Sequence, residues 1–388
     1  MDMLATGVDL KADVDLQMVF FPHLLSLQDG FSSVEKELHR LNAKGWFNFS
    51  SWMPFVPGRY QPSGAVARKL ERRFRRVWEA GAPRKPLFDG MVMVVSLNVA
   101  SSNSTLPGAT LKWPKEIKNL PDDAIHDSSI LRTAADPLGA PIMDGADDVS
   151  DFFNNLFMRT SELWKLCTLW LPLETPTFRA DDSTMDASHP VVPGFPQATY
   201  VSERVLGFGV VPASNVAQRF ANFLVFQALR LFDEIDEPFR QQECADSPFL
   251  RAWVARRLLL GPTQARLIAL QMYTDDPRFS VVGNSRMVRW LRFWDAFTTS
   301  LGLLMAIPAK RQLGSSVLWL GLIQHSMLGI TVVPETKALR AAYELHAARA
   351  GDLTFQSYRS TLGFLEHLLR TLMTQVLVKI IITSEVLL

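Results

Sequence analysis

Asp275 and Asp276 stand side by side in the string Tyr273-Thr274-Asp275-Asp276. An apolar run, Leu267 to Met272, precedes it, and Pro277 and a second stretch, Phe279-Ser280-Val281-Val282, follow. The pattern predicts a strand, a tight acidic turn and a returning strand. Adjacent carboxylates repel, and each raises the other's pKa. A bound divalent cation offsets that cost, because hard cations such as magnesium take carboxylate oxygens and keep water for phosphates. The plainer alternative is an ordinary turn, in which Asp is a favoured residue. A second acidic run, Asp147-Asp148-Val149-Ser150-Asp151, leads into the aromatic pair Phe152-Phe153.

The elements that must position these residues are mixed. The first 60 residues show no sustained period. Ser63 to Glu79 reads as a basic amphipathic helix, with Val66, Leu70, Phe74, Val77 and Trp78 on one stripe and six Arg or Lys around it. Such a helix either tracks nucleic-acid phosphates or presents a solvated face. Met91 to Val99 reads as a strand and Ser101 to Pro107 as a polar loop. Lys112, Lys115 and Lys118 cluster around Trp113. The stretch from Phe178 to Pro196 is rich in Asp, Ser and Pro and reads as a loop. Gly207-Phe208-Gly209 suggests a close backbone approach without making a dinucleotide fingerprint.

Asn215 to Gln241 is predicted to be a long helix, Met287 to Ser300 another, and Leu303 to Ile307 a strand followed by Lys310. Val317–Ile323 and Gly329–Val333 read as a hairpin. Helices from Glu335 to Ala350 and from Phe355 to about Val378 close the chain. This order predicts an α+β body with a helical C-terminal module.

Composition narrows the classes. Lys plus Arg is 40 and Asp plus Glu 39, so net charge points to no partner. Two cysteines, Cys167 and Cys244, exclude a disulfide framework and a Cys-rich zinc site. The histidines are scattered without zinc spacing. No basic segment followed by an apolar core opens the sequence, and no apolar run reaches membrane-spanning length. The expectation is an intracellular protein, cytoplasmic or nuclear, with no membrane partner. No P-loop, nucleophile elbow or zincin motif is present.

The order of the parts is informative: an acidic run, a Gly-aromatic-Gly turn, a long helix, a strand–Asp-Asp–strand unit, a lysine, a Trp-Leu-Gly hairpin and a helical tail. Over roughly residues 110–370 it resembles the reverse transcriptases of retroelements, and within them the Ty3-like and DIRS-like groups. The resemblance implies a right-hand polymerase fold: an N-terminal extension over 1–109, fingers and palm (an antiparallel sheet with packed helices) over 110–325, and a thumb-like helical region over 326–388 with a truncated tail. It implies an RNA-directed DNA polymerase that uses magnesium or manganese, a primer-template of RNA and DNA, and deoxynucleotide substrates. No ribonuclease H or integrase pattern follows the thumb, so a separate ribonuclease H, integrase or recombinase is an expected partner.

By that resemblance Asp148 looks like the first catalytic acid and metal ligand, with Val149 offering a backbone carbonyl. Asp275 and Asp276 look like the acids of the catalytic turn, completed by Tyr273. Phe208-Gly209 and Gln218 resemble the nucleotide-facing segment and its following helix. Trp319, Leu320 and Gly321 resemble the hairpin that grips the primer end. Lys310 reads as a general acid for the leaving pyrophosphate or as a surface lysine. Lys112, Lys115 and Lys118 are candidates for the fingers cations. Phe153, five positions after Asp148, resembles a steric gate against a ribose 2′-hydroxyl; the alternative is a core residue beside Phe152. Ala213-Ser214 departs from the family's Ala-Pro. The alternative function is a nucleic-acid-binding remnant that performs no chemistry.

Overall fold

The computed structural model of the chain describes residues 5–12, 19–21, 23, 24, 26–55, 58–67, 74–78, 80, 87–89, 92–94, 96–102, 112–170, 199–207, 210–352 and 354–373. The architecture is mixed α+β, with antiparallel sheets and packed helices, as the element order predicts. Two compact units form, one from residues 1–116 and 151–219, the other from residues 117–150 and 220–388.

The second unit carries the acidic turn. Its main sheet comprises β1 (Ile142–Ala146), β2 (Ile268–Tyr273), β3 (Asp276–Val282) and β4 (Gln312–Gly314), in the order β2–β3–β1–β4 with every pair antiparallel. Its helices are α1 (Pro121–Leu138), α2 (Ala213–Asp246, in this unit from Phe220), α3 (Pro248–Leu258), α4 (Asn284–Ser300), α5 (Glu335–Ala350) and α6 (Phe355–Met373). Side chains alternate between faces along a strand. The register therefore puts Gln271, Arg278, Ser280 and Asp144 on one face, where α1 packs. Leu270, Phe279 and Gly145 share the other, covered by α4. There Trp290 meets Phe279 at 5.7 Å and Phe232 of α2 at 5.1 Å. Gly145 is required at its position, because a Cβ would overlap the Phe279 ring.

Helix α1 was legible but not anticipated. Pro121 occupies its first turn with Asp122 and Asp123, and Gly139 ends it in the left-handed region at φ 58°. These are the start and stop signals of a helix.

Several expectations are corrected. Val317–Ile323 is not one strand: β5 (Val317–Trp319), β6 (Leu322–His325) and β7 (Ile330–Val332) form a three-stranded meander. Leu320 and Gly321 turn between them with φ of 50° and 75°. Two successive positive φ values suit a tight hairpin between right-twisted strands, and a leucine there hides the turn from sequence reading. Leu303–Ile307 makes only a single bridge, Met305 to Val149. Helix α6 is described as far as Met373.

In the first unit a five-stranded sheet runs in the order Val19–Phe20, Arg59–Tyr60, Cys167–Trp170, Thr199–Glu203, Phe47–Ser50. A helix, Leu27–Ala43, buries Leu27, Val34, Leu38 and Leu41 against Phe47, Trp170 and Val201. The basic helix expected over residues 63–79 is instead a hairpin of Ser63–Ala67 with Phe74–Trp78. Phe, Val and Trp favour strands. Arg76, expected on the charged helical face, turns inward and pairs with buried Glu203 at 2.6 Å. Tertiary pairing overrides the helical period there; Arg68, Lys69, Arg72 and Arg73 lie outside the described residues. Among the described residues of 91–99, Val92–Val94 is strand, and Ser96 caps a short helix, Leu97–Ser101, by accepting the Val99 N–H at 3.1 Å. The segment 178–196 and the pair Phe208-Gly209 also lie outside the described residues. Among the described residues no helix is long and apolar enough to cross a membrane.

Candidate active site

The β2–β3 hairpin pairs Tyr273 with Asp276, leaving Thr274 and Asp275 as its tip. Thr274 sits at φ 56°, an uncommon conformation for a β-branched residue. Beyond the end of β1 the chain keeps hydrogen bonding to this tip. Asp147 N–H donates to the Pro277 carbonyl at 3.0 Å and Val149 N–H to the Asp275 carbonyl at 2.9 Å. Asp148 is thereby held beside Asp275 and Asp276. From the opposite side Ala306 N–H donates to the Asp148 carbonyl at 2.8 Å, and Lys310 Nζ lies 2.8 Å from Asp148 Oδ2. Trp319 Nε1 donates to the Asp276 carbonyl at 2.9 Å, joining the meander to the same turn.

The electrostatics of this group are unbalanced. Burial, then the negative charges of Asp275 and Asp148, push the Asp276 carboxyl up to about 7, and Lys310 opposes them. The Lys310–Asp148 pair is itself open, with side chains 59% and 31% exposed. An exposed pair of this kind contributes orientation more than stability.

Among the described residues no three His, Cys, Asp or Glu side chains form a ready-made metal cage. The donor chemistry nonetheless fits a hard divalent cation. Three carboxylates meet one ammonium, and burial first, then the two neighbouring acids, raise the Asp276 carboxyl.

A buried polar network underlies the site. Arg278, two positions after Asp276, is fully buried and lies 3.2 Å from Asp144. Asp144 Oδ2 accepts the Ser326 N–H at 3.0 Å, Ser280 Oγ donates to Asp144 Oδ1 at 2.5 Å, and Arg278 Nη1 donates to Gln271 at 2.9 Å. A buried charge demands such partners. Sequence reading missed it; the available signal is one acid and one arginine inside otherwise apolar strands.

The remaining expected residues are distributed. Lys118 Nζ lies over the Tyr273 ring at 4.7 Å, within the second unit. Lys112 Nζ donates to the Ala100 carbonyl at 2.7 Å and Lys115 is exposed, both in the first unit. Phe153 also belongs to the first unit, buried in a 3-10 turn, Phe152–Asn155, with its ring edge-on to Phe152 at 6.3 Å. Just before it Asp151 adopts φ 54° and meets Arg40 at 3.1 Å and Lys44 at 3.0 Å. Burial acts to raise the Asp151 carboxyl, but Arg40 and Lys44 together hold it below the ordinary carboxylate range. Arg40 and Lys44 went unread because no period was visible in residues 1–60. Gln218 is buried on α2, in the first unit.

No protein-family model matches the chain, and no curated protein matches it. Solved structures with similarity include a foamy viral protease-reverse transcriptase dRH in complex with double-stranded DNA, at TM-score 0.49 and 12% identity, covering 92% of this chain and 43% of that one. A foamy viral protease-reverse transcriptase with an RNA/DNA hybrid gives 0.48 and 11%, covering 92% and 33%. A third, with double-stranded DNA, gives 0.45 and 13%, covering 93% and 51%. The chain thus spans between a third and a half of the length of these structures. At such identity and TM-scores the likeness bears on neither reaction nor substrate.

Proposed function

We propose that this chain is an RNA-directed DNA polymerase of a retroelement, adding deoxynucleotides to a primer 3′ end on an RNA/DNA primer-template. One observation carries the reading: Asp148, Asp275, Asp276 and Lys310, from three separate stretches of sequence, converge at one end of the β2–β3–β1 sheet. Extension of a primer is an in-line phosphoryl transfer, in which positioning and charge stabilisation do the catalytic work. In this reading the sheet is the palm, residues 110–325 hold fingers and palm, and α5 and α6 belong to the thumb. Placement in the Ty3-like or DIRS-like group, and an intracellular location, rest on the motif order and composition alone.

Asp148, Asp275, Asp276 and the Val149 carbonyl would hold magnesium or manganese, whose charge stabilises the attacking and leaving oxygens. Lys310, already beside Asp148, delivers a proton or its charge to the leaving pyrophosphate. Trp319 keeps the Asp276 backbone in register with the meander, which in turn guides the primer end. By the motif resemblance, Phe153 would exclude a ribose 2′-hydroxyl, and Phe208, Gly209 and Gln218 would belong to the nucleotide-binding segment. Lys112, Lys115 and Lys118 are the candidates for holding the nucleotide's triphosphate.

Primer extension on an RNA template with deoxynucleotides and magnesium or manganese tests the proposal. Extension by the wild type that disappears in Asp275→Ala is the expected result. A second reading, a nucleic-acid-binding remnant, is favoured by one observation: the Asp148 carboxylate is already paired with Lys310 at 2.8 Å. Duplex binding without extension, unaffected by divalent cation, would select it.

A further inference from the structure

Asp147 stands directly before Asp148, yet its side chain is only 2% exposed. The antiparallel register explains where it points. Gln312 of β4 faces Ala146 of β1. One step further out, Arg311 falls opposite Asp147; one more, Lys310 falls opposite Asp148. Alternation sends the two pairs to opposite faces of the sheet. Lys310 meets Asp148 on the face of Asp276. Arg311 meets Asp147 on the face covered by α4, where Asp295 is presented.

The contacts follow this plan. Arg311 Nε and Nη2 donate to Asp147 Oδ2 at 2.9 and 2.7 Å. The same guanidinium donates to both oxygens of Asp295, at 2.6 and 3.2 Å. The other Asp147 oxygen accepts the Asp148 N–H at 3.0 Å. The Asp147 amide is tied to the Pro277 carbonyl. One residue therefore joins three parts: its carboxylate holds the Asp148 amide and, through Arg311, helix α4, while its own amide holds the returning strand of the acidic turn. Hydrogen bonds donated to Asp295 and Asp147 hold the guanidinium firmly in its charged form.

Stability alone does not account for this arrangement. A buried ion pair gains little over a well-packed apolar pair of equal volume, whereas two N–H groups on one Asp147 oxygen and a bidentate contact with Asp295 fix orientation. We infer that Arg311 is a positioning residue: by clamping Asp147 between β4 and α4, it sets where Asp148 stands relative to Asp275 and Asp276. The inference rests on the polymerase reading for its consequence in catalysis, but its geometric content is independent of that reading.

Three measurements on the whole chain separate the possibilities. Amide hydrogen exchange over residues 147–150 reads positioning without any assumption about the reaction. Steady-state primer extension and Mn2+ binding followed by electron paramagnetic resonance read its effect on the site. In Arg311→Gln, exchange over 147–150 is expected to quicken by about tenfold or more, with the 317–332 meander unchanged. Mn2+ affinity and kcat are expected to fall by about 10–100-fold, the usual effect of losing a partner behind a metal ligand, while KM for the deoxynucleotide stays nearly constant. Arg311→Lys offers a single ammonium that cannot span both acids, so intermediate values are expected; this variant carries the test if Arg311→Gln fails to fold. Unchanged exchange and unchanged kcat in a folded variant overturn the inference. Loosening at 147–150 in a protein whose wild type extends no primer upholds the positioning role and removes the polymerase reading instead.

Discussion

At the scale of single residues, the Asp276 carboxyl, pushed up to about 7 by burial and by Asp275 and Asp148, ties stability to pH. The folded chain binds this proton more tightly than the unfolded chain. The associated stability is complete below about pH 4 and is lost as pH climbs towards about 7. In cation-free buffer Asp276→Asn should therefore be more stable than wild type by about 1–2 kcal/mol at pH 8, a figure reduced for solvent screening, with no gain near pH 4. Urea unfolding at the two pH values checks this. Phe153 gives a second outcome at this scale. If its ring excludes a 2′-hydroxyl, Phe153→Val should raise ribonucleotide incorporation relative to deoxynucleotide by about tenfold or more in primer extension. Unchanged sugar discrimination in an active enzyme would leave Phe153 as a core partner of Phe152.

At the scale of elements, the close approach between β1 and β3 is the most exacting feature. Gly145 faces Phe279 with no room for a methyl group, and Phe279 in turn packs on Trp290 of α4. Gly145→Ala should cost about 1–3 kcal/mol in urea unfolding and disturb the Asp148 end of β1. The hairpin at Asp275-Asp276 was legible because apolar runs flank a polar turn, and the pattern has one reading. The segment 63–79 was not, because its stripe fits a helix while Phe74 and Trp78 also fit a strand, and only pairing with residues 63–67 decides. The turn at Leu320-Gly321 was invisible for a different reason: a leucine at positive φ follows no turn rule and is imposed by the strands it joins.

At the scale of the whole molecule, the meeting of Asp148, Asp275, Asp276, Lys310 and Trp319 was legible only through the resemblance in motif order, since β1 before Asp148 went unread and Leu303–Ile307 before Lys310 makes a single bridge instead of a strand. The residues behind them were not legible. Asp147, Arg311, Asp144 and Arg278 are charged, and a charged residue in isolation reads as surface; their burial becomes evident only when partners distant in sequence meet. The division into units was equally hidden, because the chain visits each unit twice, crossing after residues 116, 150 and 219.

The pairing of β1 with β3 also governs how such a chain reaches its native state. Residues Ile142 to Ala146 have no partner in their sheet until the chain has been extended by about 130–140 further residues, to Arg278 and Val282. The strand that leads to Asp148 thus emerges from the ribosome long before its sheet partners, with α1 alone already made to cover one face, while nearer segments are free to compete for its edge. Loop closure over such a span is slow, and the waiting strand is open to mispairing. Because Asp148 is tied to the Asp275 and Pro277 backbone only once β1 has met β3, we expect the acidic cluster to assemble late in folding, with the Asp147 and Val149 amides among the last protected in pulse-labelled hydrogen exchange.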